Sequence, residues 1–105
     1  MPTQVNDLDR VLIECVDETI RSLFSQKVLD ALRSNLREKR AIAPDALPNQ
    51  LPTLHIVLEK CFGLGAATVE RAIAHRLYSK LGLQFQRVGN YQLEDYVLAA
   101  KTRLK

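Results

Sequence analysis

Oily side chains in this sequence recur every three or four residues almost from end to end, and that spacing constrains the fold more than any other feature. Leu8, Val11, Leu12, Cys15, Thr19, Ile20 and Leu23 follow it, as do Val28, Leu29, Leu32 and Leu36. So do Leu51, Leu54, Val57, Leu58 and Cys61, and later Val69, Ala72, Ile73, Leu77 and Leu81. A period near 3.6 puts such residues on one stripe of a helix, whereas a half-buried strand needs strict alternation. Only residues 84–91 (QFQRVGNY) alternate, and they are expected as an ordered loop with Phe85 and Val88 plugged into the core. The chain therefore reads as all-α. With 105 residues, 47% hydrophobic and 26% charged, it has enough apolar surface for one core and no room for two.

Punctuation between the stripes sets the helix count. Asn6 reads as the cap of helix 1, spanning 7–24, with Asp7 and Asp9 in the first turn where the helix dipole favours anions. Ser25 breaks the chain and caps helix 2, spanning 26–40, whose last turn holds Arg37, Lys39 and Arg40. Residues 41–50 contain two prolines and form the one true loop, with a single helical turn at 44–47 as an option. Asn49 caps helix 3, which tolerates Pro52 in its first turn because an amide there has no helical acceptor. Ile56 widens the apolar face of helix 3 and marks it as the most buried element. Gly63 suits the left-handed position that ends helix 3, and Gly65 suits the cap of helix 4 over 66–81. Gly82 stops helix 4, and Asn90 caps helix 5 over 91–103. The expected architecture is about five helices in a single domain over 1–105: two helical hairpins plus a C-terminal closing helix, with helices 3 and 4 at the centre. One internal echo accompanies the hairpins, since helices 1 and 3 both end on an apolar residue followed by phenylalanine (Leu23-Phe24 and Cys61-Phe62).

Charge bounds the function. Fifteen Lys and Arg against twelve Asp and Glu leave a formal charge of +3, modest for a dedicated nucleic-acid binder. Residues 1–24 hold five acids against two bases, and residues 25–40 hold five bases against two acids, so the two segments are set to pair with each other. Cys15 and Cys61 both fall at apolar helical positions outside any CxxC, and buried free thiols in a reducing cytoplasm are expected. No apolar run approaches the roughly 20 residues that cross a bilayer, and no signal peptide opens the chain.

No constellation of reactive residues is legible. Gly63-Leu64-Gly65 lacks the preceding strand and third glycine of a dinucleotide loop and the Lys-Ser/Thr of a Walker loop, so a helix–turn–helix connection is expected. His55 and His75 sit mid-helix and are expected at edges or facing solvent, not as metal ligands. Ser25, Ser34 and Ser79 have no local base. No catalytic, metal or cofactor residues are assigned. The remaining candidates are basic: Arg33 and Arg37 of helix 2 with Arg71, Arg76 and Lys80 of helix 4 would make a phosphate-tracking surface. The apolar character of helix 4 and the scarcity of aromatic residues, 6%, argue against it as a groove-reading or base-stacking device.

Residues 61–85, CFGLGAATVERAIAHRLYSKLGLQF, together with Asp95-Tyr96-Val97, carry a family resemblance. Phe62, Gly63, Gly65, Ala66, Glu70, Arg71, Ile73, Leu77, Tyr78, Leu81 and Gly82 stand where small helical domains of the Nitrosopumilus output domain type place a Phe-Gly-x-Gly-Ala turn, an acid–basic–x–Ile helix and a Leu-Gly close. The C-terminal half resembles that pattern best, and Ser25 departs from the glycine expected at the upstream junction. The resemblance implies a helical signalling output or partner-binding module with no catalytic residues attached. The expected function is accordingly a non-enzymatic protein-interaction or signalling output module of the cytoplasm, with an unidentified protein partner or a homodimer. A weak nucleic-acid-binding domain is the alternative.

Overall fold

The computed structural model describes residues 5–104, and residues 1–4 and 105 of the expected 1–105 domain lie outside that range. The fold is all-α. Five helices follow in order: α1 (Val5–Leu23), α2 (Gln26–Arg40), α3 (Leu51–Phe62), α4 (Ala66–Leu81) and α5 (Leu93–Leu104). Short 3-10 turns at Pro44–Asn49 and Gly63–Gly65 precede α3 and α4, and no strand occurs among the described residues. The 3-10 turn at Pro44–Asn49 occupies most of what reads as loop in the sequence.

Helices α2 and α4 have the bounds their flanking residues dictate. The Ser25 hydroxyl accepts the Val28 amide at 3.2 Å, the standard N-cap arrangement. Past α4, Gly82 adopts φ 71°, its amide donates to the Ser79 carbonyl, and the Leu83 amide donates to that of Tyr78 at 2.9 Å. This paired return is a Schellman ending, with Leu83 folded back onto the core. Three caps fall elsewhere than the sequence suggests. Asn6 lies inside α1, which begins at Val5, and the side chains of Asn6 and Asp7 lie outside the described ones. Gln50, not Asn49, precedes α3 and makes no side-chain cap bond. Helix α5 starts at Leu93, three residues after Asn90.

The core runs through all five helices, with Leu8, Leu12 and Ile20 of α1 and Ile73 and Leu77 of α4 fully enclosed. The hairpins α1/α2 and α3/α4 form as expected, but the centre does not lie at α3 and α4. The most extensive contact is between α1 and α4, with α2 packed on α1 and with α3 and α5 packed on α4. Helices α1 and α4 run antiparallel, since Lys80 lies near Glu14 while Arg76 lies near Glu18. Helix α3 is less buried than its composition implies. Leu51, Leu54, Val57 and Leu58 face inward, but Ile56 is 44% exposed and Cys61 is exposed. Leu23, the last residue of α1, is also turned out.

Residues 82–92 are fastened by Tyr96. Its hydroxyl accepts the Val88 amide at 3.0 Å and donates to the Val88 carbonyl at 3.2 Å. Phe85 packs against the core within a ring cluster with His75, Tyr78 and Tyr96, whereas the Val88 side chain stays largely exposed.

One strained residue stands out. Ala41 ends α2 with φ 55° and ψ 37°, the left-handed conformation that suits glycine. Ala41→Gly is expected to raise stability by about 0.5–1 kcal/mol, since the relief of strain exceeds glycine's added chain entropy. Urea unfolding should show a higher midpoint at an unchanged slope.

Candidate interaction surface

The helix-ending motifs Leu23-Phe24 and Cys61-Phe62 meet in space. The antiparallel α1–α4 packing brings the α1/α2 junction beside the α3/α4 turn. The rings of Phe24 and Phe62 stack there at 4.6 Å between centroids and 9° between planes. Gly63 makes the adjoining turn with φ 57° and ψ −127°, a region that side-chain-bearing residues avoid. Leu64 then projects completely into solvent, with 100% of its surface accessible. Leu23 (51%) and Phe24 (44%), at the other turn, are exposed as well. An isolated exposed leucine is ordinary, but exposed Leu23 and Leu64 flanking in sequence a stacked ring pair, of which Phe24 is itself exposed, form an apolar ledge where the two turns meet.

The basic candidates are dispersed. Arg33 is ion-paired with Asp17 of α1. Lys80 holds Glu18 at 2.5 Å and lies 3.9 Å from Glu14, while Arg76 reaches Glu18 at 3.3 Å. Hydrogen bonding to Lys80 lowers the Glu18 carboxyl below the ordinary carboxylate range, and the same bond raises Lys80. Arg37 and Arg71 make no ion pair among the described residues; Arg37 is exposed on α2 and Arg71 half-buried on α4. The acidic N-terminal segment thus neutralises helix 4 as well as helix 2, a pairing that sequence order alone does not indicate.

His55 is not a lone edge histidine. Its Nδ1 lies 2.6 Å from Oε2 of Glu70, and its Nε2 lies 3.2 Å from Oε1 of Glu59, one turn along α3. Glu70 is 4% exposed, and its other oxygen accepts the Leu93 amide at 3.1 Å. Asp95 accepts the Gln92 amide at 2.9 Å, which is the return arm of a capping box. Gln92 supplies no side-chain oxygen to the first turn, so the missing cap comes from α4. Glu70 therefore ties α3, α4 and the start of α5 together. Its sequence signal was a carboxylate at i−3 and i−7 from the inward Ile73 and Leu77; for His55 it was Glu59 at i+4. The two acids face opposite ring nitrogens, and no group of three or more His, Cys, Asp or Glu that could hold a metal occurs among the described residues.

Concavities are poor. An apolar crevice between α1 and α2, lined by Val16, Leu29, Leu32 and Leu36, has a volume of about 20 Å³. That is room for roughly one water, far below the ~300–1,000 Å³ of ligand pockets. A broader depression of about 440 Å³ over Ala72, His75, Arg76, Ser79 and Lys80 is open to solvent. No helix among the described residues is long and apolar enough to cross a membrane. No family model, curated protein or solved structure matches the chain.

The cysteines differ in accessibility. Burial pushes the Cys15 thiol from its ordinary 9.0 up to about 11, while Cys61 is exposed beside Phe62. A thiol kept neutral by the fold contributes stability that is complete below about pH 9 and lost as the pH rises towards 11. Iodoacetamide should modify Cys61 in the folded protein and Cys15 only after denaturation. Between pH 8 and 11 the wild-type melting temperature should fall more than that of Cys15→Ala. Glu70→Ala should cost about 1–3 kcal/mol, since it strands the Leu93 amide and His55. Glu70→Gln should cost less, because the amide oxygen still accepts from Leu93; urea unfolding and amide exchange at Leu93 measure both.

Proposed function

We propose that this chain is a non-enzymatic protein-interaction or signalling output module of the cytoplasm that docks a partner through the ledge of Leu23, Phe24, Phe62 and Leu64. The observation that carries this reading is Leu64, a large aliphatic side chain held fully in solvent by a turn that only glycine at position 63 accommodates without strain. The bundle gains nothing from exposing it. Apolar anchors surrounded by partly exposed aromatic rings are what protein interfaces concentrate their binding energy on. The resemblance of residues 61–85 to Nitrosopumilus-type output domains points the same way, because its Phe-Gly-x-Gly turn is the segment that builds the ledge. The apolar crevice between α1 and α2 is too small for a ligand, which favours a surface over that cavity as the functional element.

The alternative, nucleic-acid binding through Arg33, Arg37, Arg71, Arg76 and Lys80, would draw on cations three of which already hold α1 acids. Affinity capture from the cell's own extract tests the two readings together. Full-length protein should retain a defined set of proteins that Leu64→Glu releases and nuclease leaves in place. Retention of the same set by Leu64→Glu, or loss of the captured material on nuclease treatment, would contradict the interaction reading. Leu64 is outside the core, so the variant should melt close to wild type.

A further inference from the structure

The turns that build the ledge carry charge of one sign. Residues 20–27 and 60–69 contain Arg21, Lys27 and Lys60 and no carboxylate. All three cations are exposed, and none makes an ion pair among the described residues. Arg21 stands two residues before Leu23, Lys27 three after Phe24, and Lys60 four before Leu64. Two of the three cations of α4, Arg76 and Lys80, are by contrast held by Glu18. The turns that carry the ledge thus bring three exposed, unpaired cations and no carboxylate of their own.

We propose that the occupant of this ledge is an acidic segment of a partner protein, one aliphatic or aromatic side chain seating against Leu64 and the Phe24–Phe62 stack while flanking carboxylates meet Arg21, Lys27 and Lys60. This rests on the interaction-module reading and names the partner's chemistry. The division of labour follows from magnitudes. Rim ion pairs between exposed groups contribute at most about 1 kcal/mol each, but they steer encounter and reject wrongly charged partners. The desolvated anchor supplies most of the affinity. A second copy of this chain is a poor occupant, because a two-fold contact centred on the ledge would set Arg21, Lys27 and Lys60 against their own copies. Anionic lipid is a poor one as well: basic lipid-recognition clusters use about 4–8 cations, more than the ledge provides.

Selection from a displayed library of random 16-residue peptides on the full-length protein tests the proposal. Enriched peptides should be net negative with at least one Leu, Ile or Phe. Their affinity should fall about tenfold or more in Leu64→Ala and in the double variant Lys27→Glu, Lys60→Glu, and should weaken as salt is raised. Melting curves of both variants close to wild type confirm that the fold is intact. Enrichment of neutral or basic peptides that still depend on Leu64 would overturn the acidic specificity while leaving the interaction module standing. Failure to enrich any peptide sensitive to Leu64→Ala would overturn both. Binding to phosphatidylserine vesicles, or self-association in sedimentation at micromolar concentration, that Leu64→Ala abolishes would replace the peptide with lipid or a second copy.

Discussion

The antiparallel packing of α1 on α4 is the contact on which the rest of the molecule depends. Its enclosed residues, Leu8, Leu12 and Ile20 on one helix and Ile73 and Leu77 on the other, are each worth roughly 1.5–3 kcal/mol on burial. The ion pairs of Glu18 with Lys80 and Arg76 lie at its exposed margin and contribute little stability by comparison. Their geometry instead fixes which residues of α1 meet which residues of α4. The pairs are about 60 residues apart in sequence, so the chain closes a long loop to make this contact. The two hairpin turns come to one end of the bundle because the two longest helices, of 19 and 16 residues, run in opposite senses.

The ledge and the buried Glu70 are both consequences of that arrangement, with opposite characters. Glu70 is a polar group inside the fold, with acceptor oxygens committed to His55 and the Leu93 amide. It converts an uncapped helix start into a joint between α4 and α5. The ledge is apolar surface outside the fold, committed to nothing within the chain beyond the Phe24–Phe62 stack. A buried polar group satisfied on both sides has a structural explanation. An apolar side chain fully in water beside a conformationally special glycine has none within the chain.

Much of the fold was legible because local chemistry marked it. Ser25 and Gly82 set the limits of α2 and α4, since a hydroxyl cap and a left-handed glycine act within one turn of the residue that carries them. Helix α3 was misjudged for a related reason. Leu51, Leu54, Ile56, Val57, Leu58 and Cys61 cover more than half of its circumference, and periodicity cannot say which arc meets a neighbour. Packing selected the arc of Leu54, Val57 and Leu58 and left Ile56 outside it, whereas Cys61 shares that arc and is exposed in the helix's last turn. Asn49 and Asn90 are good caps in isolation, but tertiary contacts outweighed them: a 3-10 turn runs through Asn49, and Glu70 caps α5 from another helix. The ledge itself was half visible. The repeated apolar-Phe endings were evident in the sequence, but their meeting depends on the α1–α4 packing.

The basic residues show how helical spacing can nominate a surface several of whose cations the fold pairs with its own acids. Every lysine and arginine contributes equally to a net charge of +3, yet the cations differ in what they face. Arg33, Arg76 and Lys80 were candidates because they recur at helical spacing, and helical spacing is what presents them to the acids of α1. The regularity that drew notice is that of an internal clamp. Arg21, Lys27 and Lys60 follow no period. They lie in sequence beside the two chain reversals that carry the exposed apolar residues, and none is paired with a carboxylate among the described residues. Charge left unpaired next to hydrophobic surface left unburied is a stronger indication of an external partner than either feature alone, because the fold satisfies neither.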